Sequence, residues 1–148
     1  QGDMANAALL LDYLFLQGLI EARIKSELPD VAVRGVEEIR QVIDATVRID
    51  TVFVLWDGER FPDDAEGGKA VMARQRWIVF YARPDASQHD GAARNRSAGP
   101  VLSALHKALA GWIPEGAGRP MRRTNGPRPN YRANVGLYPL AFEIALNL

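Results

Sequence analysis

The sequence predicts an α+β fold, a mainly antiparallel sheet of about four to five strands with three helices packed on it. Residues 49–56 (IDTVFVLW) and 71–83 (VMARQRWIVFYAR) are apolar runs of strand length, joined by a polar loop. Segments before and after this pair carry apolar residues at helical spacing. Residues 137–146 alternate, so that Tyr138, Leu140, Phe142, Ile144 and Leu146 share one face of a strand.

The chain opens on Gln1-Gly2 where a methionine is usual, which reads as the remnant of a cleaved tag. Residues 1–3 are set aside on that ground, as a start without order, and 4–148 are read as one domain. Residues 5–28 then form one long helix closed by Pro29. Leu9, Tyr13, Leu16, Ile20 and Ile24 make one face of it, and Leu11, Phe15 and Leu19 a second stripe. A helix with two apolar faces has to bury both, the second under another element or in a subunit contact. Gly18 costs a helix about 1 kcal/mol relative to Ala, so it is expected to permit a close approach.

Residues 31–36 read as an edge strand, with Gly35 at the turn out of it. Val36, Ile39 and Ile43 follow at helical spacing, while Glu37, Glu38 and Arg40 face away: a short second helix. Next come the two apolar strands, joined by a loop over 57–68. The run from Trp77 to Tyr81 is apolar on both faces, which marks a central strand covered above and below. A second polar loop over 84–99 leads to Pro100 at the first position of the third helix. Leu102, Leu105, Leu109 and Trp112 give that helix its apolar face, and Gly111 stands near its end. Both loops are long and polar, and are expected to gain order in a partner contact. Residues 114–130 are rich in proline and glycine and predict irregular backbone. Pro139 places the start of the last strand at an edge or a bend.

The chain has no cysteine, which removes disulfides and thiolate metal sites. His89 and His106 lie far apart, so a zinc site is not expected. The apolar segment 7–20 is broken by Asp12, Gln17 and Gly18 and lacks a basic flank. It predicts neither a membrane span nor a signal peptide, hence a soluble product made inside the cell. Net charge is zero, yet residues 1–67 hold 14 acids against 6 bases and residues 68–148 hold 4 against 12. The resulting −8 and +8 suggest two surfaces of opposite sign.

No catalytic constellation stands out. Asp57 at a strand end, followed on the next strand by Arg74-Gln75-Arg76, faintly suggests a metal-dependent nuclease. A magnesium site there would meet cations where it needs a second carboxylate and a lysine. Asp63-Asp64-Ala65-Glu66 lacks the spaced ligands of a calcium loop. Gly67-Gly68-Lys69 lacks the rest of a phosphate loop. His106 reads as a surface residue without a nucleophile to serve. No catalytic residue, metal or cofactor is therefore expected, and the chain is not read as an enzyme. Arg119, Arg122, Arg123, Arg128 and Arg132, interleaved with Asn125, Asn130 and Tyr131, could hold phosphates or an acidic protein surface. The neutral whole favours the protein partner.

Taken together, the chain resembles the tail-terminator family of long-tailed phages and prophages, including its Mu-like branch. The features that carry the likeness are a long first helix ending in Leu28-Pro29, VFVLWDG at 52–58 and QRWIVFYAR at 75–83. Gly111-Trp112-Ile113-Pro114 and the strand beginning Tyr138-Pro139-Leu140 complete them. The resemblance implies a structural role in the virion tail, assembled in the host cytoplasm, without catalysis or cofactor. Such proteins form rings, typically hexameric, that cap the tail tube and present the head-joining surface. The implied partners are further copies, the tail tube protein and head-completion or connector proteins; neither membrane nor nucleic acid is expected. Within that picture, Leu11, Phe15 and Leu19 are candidates for the dry centre of self-association. Arg119, Arg122, Arg123, Arg128 and Arg132 would set its register against the acidic surface of a neighbour. Two other readings stay open: a nucleic-acid-binding adaptor using residues 119–132, and, less favoured, a metal-dependent nuclease.

Overall fold

A computed structural model describes residues 9, 11–61, 72–84, 91–132 and 135–148. Its strands are β1 (Ala32–Val36), β2 (Thr51–Arg60), β3 (Met72–Pro84), β4 (Arg122–Thr124), β5 (Asn130–Arg132) and β6 (Val135–Asn147). Its helices are α1 (Leu16–Glu27), α2 (Ile39–Ile43) and α3 (Gly91–Leu109). The strands form one 6-stranded sheet in the order β1-β2-β3-β6-β4, with β5 also pairing to β6. Every pairing is antiparallel except β1 with β2, which is parallel. The sheet is thus mainly antiparallel, as expected, with one parallel pair at its edge.

Strand alternation sorts the core into two layers. Val52, Val54, Trp77, Val79, Tyr81, Leu140, Phe142 and Ile144 face α1 and α3, where Leu16, Ile20, Ile24, Leu105 and Leu109 meet them. Phe53, Leu55, Ile78, Phe80, Ala82, Leu137 and Ala141 face the other way, toward Val42 of α2. β3 is the central strand that its two-sided apolar run predicts, and Trp77 is fully buried on it. The face of the last strand is also as expected, since Tyr138, Leu140, Phe142, Ile144 and Leu146 all join the first layer.

The helix expected over 5–28 is interrupted: residues 9 and 11 are helical, 12–15 are not, and helix resumes after them. α1 begins at Leu16, and the chain turns just before it. The Asp12 carboxylate accepts the Leu14 N–H at 2.9 Å, and the Asp12 carbonyl accepts the Phe15 N–H at 3.1 Å. A short acidic side chain here competes with the helix for backbone donors. Gln75 then holds the turn from below: fully buried, it donates to the Tyr13 carbonyl at 2.7 Å and accepts the Trp77 indole N–H at 3.1 Å. Residues 5–8 of the expected helix lie outside the described residues.

Other expectations change for equally local reasons. Gly35 sits inside β1 rather than at a turn, where a Cβ would come within 2.6 Å of the Glu21 carboxylate. α2 is started by a capping box between Glu38 and Gln41, and it buries Val42 while Ile39 stays 46% exposed. Residues 57–60, expected in a loop, extend β2; 62–68 lie outside the described residues. Residues 91–99 are helical rather than loop, so Pro100 lies within α3 instead of at its start. Residues 85–90 lie outside the described residues.

α3 ends in a left-handed cap at Gly111, whose φ is 81°. The Gly111 N–H bonds to the Met121 carbonyl and the Met121 N–H to the Trp112 carbonyl, both at 2.8 Å. This exchange closes the following loop at its base and delivers the chain to β4. The stretch expected to be irregular therefore yields two short strands. β5 pairs with residues 135–137 of β6 and β4 with 141–143, leaving Pro139 opposite neither. β6 is an interior strand, and its proline sits where a ladder donor is not needed. Among the described residues, no helix is long and apolar enough to cross a membrane.

Candidate functional site

α2 covers one half of the second sheet face and leaves the other half open. On the open half, alternation places Asp57 of β2, Arg74 and Arg76 of β3, Glu143 of β6 and Arg122 of β4 on one side. Arg60 joins them through a bulge. The register of β2 shifts between Trp56 and Glu59, around Gly58 at φ 87°, and the extra residue returns Arg60 to this face opposite Arg74. The Arg76 Nε lies 2.8 Å from the Asp57 carboxylate, and the Arg60 guanidinium 3.5 Å from that of Glu143. Neither Arg74 nor Arg122 has an ion-pair partner among the described residues.

This surface can grip carboxylates or phosphates by guanidinium forks. It does not resemble a metal site: Asp57 is engaged by Arg76, and among the described residues no cluster of His, Asp and Glu could hold an ion. Beside it runs an open groove of about 600 Å³, with Leu55 and Ile78 in its floor and Glu37, Glu38, Asp57 and Arg76 among its lining.

The predicted arginines do not form one patch. Arg122 belongs to the open face, while Arg123 lies on the α3 side of β4. There its guanidinium is 3.1 Å from His106 Nδ1 and 5.9 Å from the centre of the Phe142 ring. Arg119 is half-buried in the loop after α3, with one guanidinium nitrogen fully buried. Arg128 is exposed and lines a small cavity between Ile43 and Pro139. Arg132 occupies β5 opposite Val135. Of the apolar stripe, Leu11 is 89% exposed, whereas Phe15 and Leu19 are half-buried against the first core layer.

At the two edges of the sheet, β1 carries the exposed Arg34 and is followed by the exposed Glu37 and Glu38 in the turn to α2, and β4 carries the exposed Arg122 and Arg123. Sequence reading missed Arg60 and Glu143 as neighbours of Arg76, because only register across three strands brings them together. It also passed over Gln75, for which a polar residue inside an apolar strand was the available signal.

Tyr81 braces the first core layer. Its hydroxyl donates to the Asp50 carboxylate at 2.8 Å and accepts from Arg83 at 3.3 Å. Burial pushes its pKa up to about 12; Arg83 works against that rise and Asp50 adds to it.

Comparison with known proteins gives a family match over residues 10–148, to the model described as "Phage tail terminator protein". Among solved structures, one known by a sequence identifier alone is similar with a TM-score of 0.57 at 15% identity, over 100% of this chain and 96% of that chain. A chain of the "Virion of native gene transfer agent (GTA) particle" is similar with a TM-score of 0.54 at 16% identity, over 90% of this chain and 95% of that one. At such identities the likeness is one of fold. No curated protein matches.

Proposed function

The chain belongs to the phage tail terminator family, and from that premise we propose that it caps a phage tail tube as a ring of identical subunits and offers the head-joining surface. Membership makes it a phage structural protein; ring closure, a hexameric count, tube capping and head joining are the proposal. The family match over residues 10–148 carries the reading. The distribution of charge supports it: a closed ring needs unlike surfaces on two sides of each subunit, and residues 1–67 carry a net −8 against +8 for residues 68–148. Leu11, Phe15 and Leu19 supply the dry centre of the subunit contact, and Arg119, Arg122, Arg123, Arg128 and Arg132 meet the acidic surface of residues 1–67 in the next copy. The other partners are the tail tube protein and a head-completion or connector protein. Assembly takes place in the host cytoplasm and ends in the virion tail.

Sedimentation of the protein alone and with its tail tube protein tests this. The expected result is a discrete ring, with tubes of uniform length capped at one end. A chain that stays monomeric in both conditions and leaves tube length unchanged would overturn the reading.

A further inference from the structure

We propose that the open half of the second sheet face binds an extended peptide segment of a different protein. An acidic side chain of that segment is held at Arg74, and an apolar one is seated in the adjoining groove. The inference goes beyond the capping role and concerns the single subunit, whether or not a ring closes.

Two hollows adjoin on this face. The smaller, of about 80 Å³, is lined by Arg60, Arg74 and Arg76 with Asp57, Glu59 and Glu143. The larger is the groove of about 600 Å³, which Leu55, Ile78, Pro127 and the 46%-exposed Ile39 give an apolar lining. Asp57 and Arg76 line both, so the two are continuous.

The charges are unevenly satisfied. Arg76 holds Asp57 and Arg60 holds Glu143. Glu59 pairs in register with the buried Gln75 and so belongs to the other face. Arg74 is left with an open guanidinium fork, suited to a carboxylate supplied from outside. Glu37 and Glu38 stand at the side of the groove, whereas Arg74 lies beyond it along β3. The acid of an occupant therefore goes to the Arg74 end. Arg122, on the far side of Glu143, is left for the contact between copies.

Strand geometry sets the spacing. Ile78, Arg76 and Arg74 are alternate residues of β3 on one face, and Ile78 lies about 14 Å from Arg74 at about 3.4 Å per residue. An extended peptide covers that distance in four residues and returns its side chains to the same face.

The mixed chemistry selects the occupant. A nucleic acid has no aliphatic side chain for the groove, and its phosphates would meet Asp57 and Glu143. A second copy also lacks the pattern. Of its exposed large apolar residues, Leu11, Ile39, Ile49, Phe61, Ile113 and Leu148, only Phe61 has an acid four positions away, and that acid, Asp57, is already held by Arg76.

Fluorescence anisotropy of the labelled peptide Ser-Glu-Ser-Thr-Thr-Leu-Ser tests the site, beside the same peptide with Gln for Glu or Ser for Leu. The parent peptide is expected to bind, and each change in it to weaken binding about tenfold. Arg74→Glu and Ile39→Asp should each do the same with little change in melting temperature, since Arg74 has no ion pair to lose and Ile39 is half exposed. No binding of the parent peptide, or equal binding of all three peptides, would overturn the proposal. An oligothymidylate that binds more tightly than the peptide and is lost with Arg74→Glu would assign the face to nucleic acid. Self-association that is lost with Arg74→Glu and unaffected by the peptide would assign it to a second copy. Either result overturns the proposal, while the ring is judged separately, by sedimentation with the tail tube protein.

Discussion

Gln75 donates to the carbonyl oxygen of Tyr13 at 2.7 Å, across 62 residues of sequence. The same carboxamide accepts the Trp77 indole N–H, so one polar side chain ties the broken start of α1 to the central strand. Gln75→Leu removes both bonds and leaves a carbonyl and an indole N–H without partners in the core. The expected loss is about 2–4 kcal/mol in urea unfolding. Trp77→Ala on the same strand should cost about 3–5 kcal/mol. A Gln75→Leu variant as stable as the parent would show that the turn is held by packing alone.

Tyr81 gives the fold an alkaline limit. Its folded pKa is raised to about 12 from 10.0, so the native state keeps the phenolic proton after the unfolded chain has begun to release it. The contribution is fully present below pH 10 and is lost as pH rises through the window from 10 to 12. Melting temperature is expected to fall across that window in the parent. Tyr81→Phe should flatten this part of the profile.

A Cβ added at Gly18 meets nothing within 4 Å, although the residue lies inside α1. The close approach expected of it does not occur within the subunit. Gly18→Ala should therefore stabilise the isolated chain by about 0.5–1 kcal/mol. Thermal melts at low protein concentration measure this directly. A stabilised subunit that assembles poorly would place the close approach between copies, and a destabilised one would contradict the local geometry.

Assembly should separate apolar from charged contributions. Phe15→Asp puts a carboxylate into the proposed dry centre and is expected to prevent ring formation at every salt concentration. Arg122→Glu with Arg123→Glu leaves the fold intact, slows assembly and weakens its salt dependence. Sedimentation across a salt series, parent beside both variants, gives the comparison. If the double variant assembles like the parent but loses affinity for DNA, the arginines serve a nucleic acid.

The long strands, the central place of β3 and the core face of β6 were legible because alternation and two-sided apolarity are local signals. The start of α1 was not, since apolar spacing continues unbroken across the turn that Asp12 makes. Residues 91–99 read as loop because their alanines, arginines and asparagine carry no apolar stripe. β4 and β5 are three residues each and exist only by pairing with β6. The open charged face was out of reach for a similar reason. Arg60, Arg76 and Glu143 become neighbours through a bulge and two strand registers, which no single stretch of sequence encodes.

The placement of β6 bears on the order of events during synthesis. β3 leaves the ribosome before the strand that covers its second edge, and residues 135–147 follow only after α3, β4 and β5. At about 5–20 residues per second that delay is on the order of seconds, with the central strand half paired. β4 has no strand to lie against until β6 arrives, so this edge of the sheet cannot form on an incomplete chain. Arrival of the interior strand completes the core and the sheet edge in one event.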